Sequence, residues 1–284
     1  MKDIHWYPGH MKKAQNEVEA KLKLVDCVIE LLDARIPFAS RNKTLFEITK
    51  NKKRLVVLTK EDLADPKATS KWIEFFSNQG NKVIFADLNK QKDINSIIKE
   101  AETLGEDKHK KEIARGMKPQ PVRAMIIGIP NVGKSTLINK IAHRKAAGVQ
   151  NKPGHTKAQQ WIKVSNQFEL LDTPGILQSN YDDKNVALLL ALVGSINENI
   201  LPEDTLADEL LSFLKKEYPE LLKNRFALEQ VDVENHLILS QIAKNRGLLL
   251  KGDLDIIRAS KLLLNEFKNG KIGRITLELT TKCL

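Results

Sequence analysis

The sequence predicts an α/β chain in which a parallel-rich sheet covered by helices is followed by an all-α part. Three observations predict it. Short apolar runs alternate with helical stretches over residues 1–177, and from 183 onward the pattern is helical without strands. A glycine-rich turn at 128–135 also joins a strand pattern directly to a helix pattern. The division falls at 177/178, giving a sheet domain over 1–177 and a helical domain over 178–284.

The strand runs are "VDCVIELLDA", "RLVVLTK", "KVIFADL" and "VRAMIIGIP", each rich in β-branched residues and each closing on polar or turn residues. Between them 41–51, 67–78 and 91–104 read as helices, with Pro66 just ahead of the second. Strands spaced by helices imply parallel pairing with both faces covered. Residues 106–121, "EDKHKKEIARGMKPQP", carry no apolar face and read as a charged connector. "MKKAQNEVEAKL" at the start and "TLINKIA" after the glycine-rich turn read as helices.

In the second part, "TLADELLSFLKKEY" opens with Thr205-x-x-Asp208, a pattern resembling a capping box, after Pro202. Leu206, Leu210 and Leu214 then recur one turn apart. Two further helices end at Gly247 and Gly270, residues suited to a left-handed C-terminal cap. The stretch 274–279 is read as a strand within this otherwise helical part.

With 42% hydrophobic and 29% charged residues, the composition is that of a water-soluble globular chain. No run approaches the ~20 apolar residues of a membrane span. The N-terminal residues show neither a signal nor a transit pattern, so a cytoplasmic setting with no membrane is expected. Cys27 and Cys283 lack metal spacing, and Cys27 lies in an apolar run that predicts a buried, inert thiol.

The net charge of +10 is unevenly placed. Residues 1–177 hold 32 basic and 20 acidic groups, whereas 198–235 is acidic and 244–274 holds 8 basic against 3 acidic. Excess positive charge favours a polyanionic partner, because binding phosphates releases counterions. Arg258, Lys261, Asn265 and Lys268 fall on one stripe of a helix, which makes Arg258, Lys261 and Lys268 candidate RNA contacts. Leu254, Ile257, Leu264 and Phe267 are expected to face a core behind that stripe.

"GIPNVGKS", residues 128–135, fits G-x-x-x-x-G-K-[ST] in the strand–turn–helix setting that the phosphate-binding loop requires. Its glycines let backbone N–H groups of Asn131, Val132, Gly133 and the following Thr136 turn toward phosphate oxygens, aided by the helix N-terminus. Lys134 is placed to bridge the β- and γ-phosphates and Ser135 to ligate magnesium. "LLDTPG", 170–175, supplies Asp172 for the metal and Gly175 for the γ-phosphate, while Thr156 in "NKPGHT" offers the metal a hydroxyl.

These motifs suit ATPases and GTPases alike, so a base-reading element decides. Downstream of 175 there is none. Upstream, "LVVLTKED" closes a strand with Thr59, Lys60, Glu61 and Asp62. Asp62 can accept from guanine N1 and N2, for which adenine has no matching donors, and Lys60 can lie along the base. The order base reader, P-loop, Asp-x-x-Gly is that of a circularly permuted P-loop GTPase domain binding GTP and GDP. In this order the segment after Gly175 leads into the helical part, so nucleotide state can reposition it.

"HWYPGHM", "DARIPFASRN", "TKEDLA", "GIPNVGKSTLIN", "PGHTKAQQW" and "LLDTPGIL" together resemble the ribosome biogenesis GTPase A (YlqF/RbgA) family, over essentially the whole chain. The resemblance implies a GTPase acting in late assembly of the bacterial large ribosomal subunit, binding ribosomal RNA and ribosomal proteins; the free protein is expected to be a monomer. Thr59 stands where that family usually has Asn, and Asp87 and Leu88 occupy the place of the last guanine-contacting loop. Asn131 corresponds to a residue that in similar GTPases helps hold potassium. A permuted GTPase of the small subunit resembles this chain in motif order but carries an N-terminal OB domain and a zinc module, for which ~15 residues ahead of the first strand-and-helix unit leave no room. A P-loop metabolic kinase would need an acceptor-site constellation that the sequence does not display.

The water-orienting Gln that many GTPases place after Asp-x-x-Gly is replaced here by Ile176 and Leu177. Connectivity puts the start of the chain beside that region, and the resemblance gives the catalytic role to His10. Trp6 and Tyr7 are expected to anchor the segment and Pro8-Gly9 to turn it toward the γ-phosphate.

Overall fold

The computed structural model describes residues 8–146, 161–171, 183–196 and 201–280. Within them a six-stranded sheet has the order β3-β2-β1-β4-β6-β5. Its strands are β1 (Cys27–Asp33), β2 (Lys53–Thr59), β3 (Lys82–Ala86), β4 (Val122–Ile127), β5 (Trp161–Lys163) and β6 (Phe168–Leu171). All neighbours pair in parallel except β5, which runs antiparallel to β6 at the edge. The register sets Asp33 opposite Thr59 and Thr59 opposite Ala86, so β1, β2 and β3 end level with one another.

Strand alternation divides the core. Cys27, Ile29 and Leu31 face one side with Leu55, Val57, Ala124 and Ile126, against α4 (Gln91–Thr103) and α6 (Lys134–Ala146). Val28 and Leu32 face the other side, covered by α1 (Pro8–Leu22), α2 (Lys43–Thr49) and α3 (Pro66–Asn78). Glu30 lies between Val28 and Leu32 on that second face and is buried. Arg41 and Arg54 each approach its carboxylate to 2.9 Å. The guanidinium of Arg41 also stacks over Phe46 and Phe76. A charge in mid-strand is therefore tolerated because both its ionic and its aromatic neighbours are built in.

Pro8 and Gly9 belong to the first turn of α1 rather than to a turn ahead of it. The fixed φ of proline suits that position, where its missing N–H costs nothing. Residues 106–121 are not wholly irregular: α5 spans Glu106–Ala114 and buries no residue. It is held at its rim by Lys108 to Asp26 and Lys53 to Asp107.

In the second part, α7 (Lys184–Leu192), α8 (Glu203–Glu217), α9 (Pro219–Phe226), α10 (Asn235–Asn245) and α11 (Ile256–Lys268) pack together. Leu206, Leu210 and Leu214 are fully buried, as their spacing predicts. The start of α8 differs from expectation. Pro202 is its N-cap and Glu203 and Asp204 fill its first turn, so Thr205 lies inside the helix and does not cap it. Gly247 and Gly270 follow α10 and α11 with φ of 63° and 68°, the left-handed conformation expected of them. A short hairpin, β7 (Leu249–Leu250) with β8 (Asp253–Leu254), precedes α11.

The segment 274–279 forms no strand. Its backbone bonds to loops instead, Ile275 N–H to the Leu63 carbonyl and Leu277 N–H to the Arg35 carbonyl. Leu254 and Ile257, expected in the core, are exposed; the buried face of α11 is Ala259, Ser260, Leu263, Leu264, Glu266 and Phe267. Leu254 precedes the helix altogether, in the hairpin, so helical spacing does not apply to it.

Candidate functional site: a nucleotide cavity at the strand ends

Ligands of open α/β sheets bind beyond the carboxyl ends of the strands, where loops and helix N-termini converge. Here β1 ends at Asp33, β2 at Thr59, β3 at Ala86 and β4 at Ile127. A cavity of about 700 Å³ opens at that edge. Thr59, Lys60, Asp62, Asp87, Leu88, Asn131, Val132, Gly133, Lys134, Ser135 and Thr136 all line it, so residues from three separate stretches of sequence come together. The volume lies within the range of small-molecule and cofactor sites.

The phosphate loop is built from backbone conformations its glycines permit. Gly133 has φ of 102°, and a Cβ there would lie 2.7 Å from Leu88 Cδ1. At Gly128 a Cβ would sit 2.8 Å from the carbonyl oxygen of Leu31. Asn131 adopts the left-handed conformation (φ 61°) that Asn tolerates better than most residues, and its side-chain amide donates to the Gly194 carbonyl at 2.7 Å. Lys134 is buried at the N-terminus of α6, where its Nζ donates to the carbonyls of Gly128 and Ile129 at 3.0 Å each. Ser135 follows it, exposed in the same first turn.

The side of the cavity lined by Thr59, Lys60, Asp62 and residues 87–89 is equally constrained. Thr59 is buried and its hydroxyl donates to the Val132 carbonyl at 2.7 Å, with the Leu32 carbonyl 3.1 Å away. Lys60 adopts a left-handed conformation (φ 58°) and its Nζ sits 2.8 Å from Asp33 Oδ2. Asp62 is exposed to the cavity; partial burial and the neighbouring Asp87 carboxylate raise its pKa. Asp87 is itself buried, accepts from the Asn89 N–H at 2.9 Å, and has Lys90 at 3.5 Å. Two carboxylates facing one cavity form an acceptor-rich rim, suited to a base edge that presents several N–H donors.

The side chains of "DARIP" have a task that the sequence alone does not reveal. Asp33 and Arg35 are both buried and joined by a two-pronged ion pair, Nε to Oδ1 at 3.0 Å and an Nη to Oδ2 at 2.8 Å. Burial alone would raise the Asp33 carboxyl, yet Arg35 and Lys60 hold it well below the usual carboxylate range. Arg35 also reaches the carbonyls of Lys268 and Val193, at the ends of α11 and α7. The signal available in the sequence was an Asp-x-Arg pair closing an apolar strand, charged residues where the core begins.

Other predicted residues fall elsewhere. Asp172, Gly175 and Thr156 lie outside the described residues, as do Trp6 and Tyr7. His10 is in the first turn of α1, of which the backbone alone is described. Eight residues on, Val18 belongs to the apolar cluster that contains Leu171, the residue before Asp172. Arg258 and Lys261 are exposed on α11, and Lys268 is half-buried at its end. Lys261 is 3.4 Å from Glu203 of α8, so the basic stripe is flanked by an acidic group. Cys27 is fully buried, and burial pushes its thiol up to about 12, as an inert role requires.

Comparison with known proteins gives the family. Residues 123–240 match the family described as 50S ribosome-binding GTPase. Ribosome biogenesis GTPase A of Bacillus cereus is 45% identical, covering 97% of this chain and 93% of its own length. The protein of that name in Priestia megaterium is 44% identical over 97% and 96%. Among solved structures, GNP-bound YlqF from Thermotoga maritima superposes with a TM-score of 0.64 at 30% identity, covering 94% of this chain and 98% of its own. Likeness at that level runs through both the sheet and the helical part, and the chain belongs to the ribosome biogenesis GTPase A family.

Proposed function

We propose that the protein binds and hydrolyses GTP while assisting late maturation of the bacterial large ribosomal subunit, contacting ribosomal RNA and proteins in a nucleotide-dependent way. The observation that carries the reading is the convergence of Asp62, Lys60, Lys134 and Ser135 on one cavity. Guanine would be read by the Asp62 carboxylate, with Lys60 along the base and Asp87 and Leu88 closing its far side. The triphosphate would lie on the N–H groups of the 128–135 loop and the N-terminus of α6.

The site's oxygen donors fit magnesium. Ser135 is exposed in the first turn of α6, next to the buried ammonium of Lys134, and hydroxyl and carboxylate oxygens are the ligands a hard cation takes. Ser135, Thr156 and Asp172 would hold it, and when bound it neutralises charge on the phosphate oxygens. Potassium at Asn131 would serve the same end, because no arginine finger is identifiable in the sequence. Equal turnover in potassium and sodium chloride at matched ionic strength would remove that ion from the proposal.

Hydrolysis needs a water aligned on the γ-phosphate. His10 is the proposed positioning group, since a neutral imidazole can accept or donate one hydrogen bond to water. Gly175 would report the γ-phosphate to the segment leading into the helical domain over 178–284. The basic stripe of α11, with Arg258, Lys261 and Lys268, would meet RNA phosphates. No helix among the described residues is long and apolar enough to cross a membrane. A monomer in the cytoplasm, docking on a precursor particle, is the setting we infer.

Co-sedimentation tests the whole reading. The protein should travel with large-subunit particles when given a non-hydrolysable GTP analogue and remain free with GDP. Binding to small-subunit particles instead, or binding indifferent to nucleotide, would overturn it.

A further inference from the structure

We propose that Arg274, in the segment after α11, is a positioning residue for guanine recognition: it clamps the loop that carries Asp62. The inference rests on Asp62 being the base reader and adds a determinant 212 positions further along the chain.

The loop 60–65 has little of its own to fix it. It begins with the left-handed Lys60, and its internal bonds, Leu63 N–H to Lys60 and Ala64 N–H to Glu61, are 3.0 and 3.4 Å long. Glu61 N–H reaches the Ala86 carbonyl at 3.3 Å and Lys60 pairs with Asp33, but the shortest bonds to the loop carbonyls come from the far end of the sequence. Arg274 Nε donates to the Ala64 carbonyl at 2.7 Å, and one Nη donates to the Glu61 carbonyl at 2.6 Å and to Glu61 Oε1 at 2.8 Å. Ile275 N–H takes the Leu63 carbonyl at 2.9 Å, and Thr276 Oγ1 accepts the Asp65 N–H at 3.1 Å. The backbone on both sides of Asp62 is therefore bonded to residues 274–276.

A carboxylate discriminates a base edge only as well as it is placed. Asp62 itself is exposed, so few neighbours restrain its side chain. Its placement is inherited largely from the backbone, and Arg274 makes the shortest bonds that hold that backbone. Freeing the loop would cost affinity for the base, and it would cost most at the hydrogen bond with the strictest geometry. Inosine lacks the 2-amino donor of guanine, so the ratio of GDP to IDP affinity measures how well the carboxylate is placed.

The test titrates GDP and IDP into the wild-type protein, Arg274→Ala and Arg274→Lys, with thermal unfolding as a check of fold. Arg274→Ala should bind GDP about tenfold more weakly, IDP with little change, so that most of the discrimination disappears. Arg274→Lys, which keeps the charge and one donor direction, should recover part of it. Turnover at saturating GTP should move less than about twofold, because Arg274 bonds to Glu61 and Ala64 on the side of the cavity away from the phosphate loop. If Arg274→Ala does not fold, Thr276→Val, which removes the acceptor for Asp65 while keeping the shape, should shift the same ratio in the same direction. A folded variant with unchanged discrimination, or one that loses GDP and IDP affinity alike, overturns the clamp. Wild-type protein that binds IDP as tightly as GDP would instead sink the reading of Asp62, and the clamp with it.

Discussion

Thr59 Oγ1 stands 2.7 Å from the carbonyl oxygen of Val132, so the last residue of the base-reading strand is bonded to the phosphate loop. The hydroxyl of Thr59 thereby joins the two halves of the cavity, where this family usually has an Asn. In the proposed reading the base itself is left to others, and the weight of guanine selection would fall on Asp62.

Asp62→Asn should weaken GTP binding by about 2 kcal/mol, on the order of 30-fold, the worth of hydrogen bonds to a charged acceptor. The same variant should gain affinity for xanthosine nucleotides, whose exocyclic carbonyl matches the new amide donor. Paired titrations with GTP and XTP decide it, and unchanged GTP affinity would mean that the loop does not read the base.

Lys134 already donates to two loop carbonyls, so Lys134→Ala would remove a brace of the loop together with the proposed phosphate ligand. Tight GTP binding should be lost, with GDP affinity falling as well. Ser135→Ala should keep nucleotide affinity better and show its defect as a weaker response to added magnesium. Calorimetry with and without the metal separates the two.

His10→Ala should keep GTP affinity within a few-fold and lower turnover on the order of 10²-fold, the lower end for a general acid–base group. The measurement needs ribosomal particles present, and His5→Ala serves as the comparison that should do far less. Normal turnover on particles by the His10 variant would return the segment to a purely structural role.

Arg258→Glu with Lys261→Glu should weaken particle binding, most steeply at low salt, and leave intrinsic hydrolysis alone. Because Lys261 already faces Glu203, reversal there also creates a like-charge pair. Lys261→Ala alone is the milder control. Sedimentation across a salt series that shows no change would assign the stripe to solvent.

Glu278 gives the stability a pH dependence with a definite sign. Its carboxylate is buried and accepts N–H groups of Phe38 and Ala39 at 2.7 and 3.0 Å. Burial pushes it up to about 7 from an ordinary 4.5, despite the pull of those N–H groups. The folded protein thus keeps a proton that the unfolded chain gives up near 4.5, so stability should fall as pH rises from about 4.5 to about 7. Asp33 acts oppositely, its depressed value adding stability above the ordinary carboxylate range that is lost on acidification below it. Thermal midpoints of Glu278→Gln should be flatter than wild type across that window.

Much of the nucleotide cavity was legible because its motifs are local. Gly128 to Ser135 must follow a strand and open a helix, and "TKED" must close one; both demands are met within ten residues of sequence. The same is true of Leu206, Leu210 and Leu214, whose spacing alone buries them. What could not be read depends on distant partners. Arg35, Arg274 and Glu278 look like ordinary charges until the fold sets them against backbone groups more than 200 positions away. The three-residue β5 is too short to carry an alternation, and α5, with no buried face, has no periodicity to betray it. Ile257 misled because an apolar residue at helical spacing was given to a core that the helix turns away from.

The Arg274 contact to Glu61 spans 213 residues, which ties the state of the base loop to the order of synthesis. Chains are made and begin to fold from the N-terminus. A growing polypeptide therefore carries its phosphate loop and its base loop long before the segment that steadies the latter has been translated. If the proposed clamp holds, a nascent chain whose residues 274–276 have not yet emerged should hold phosphates while choosing poorly among purines.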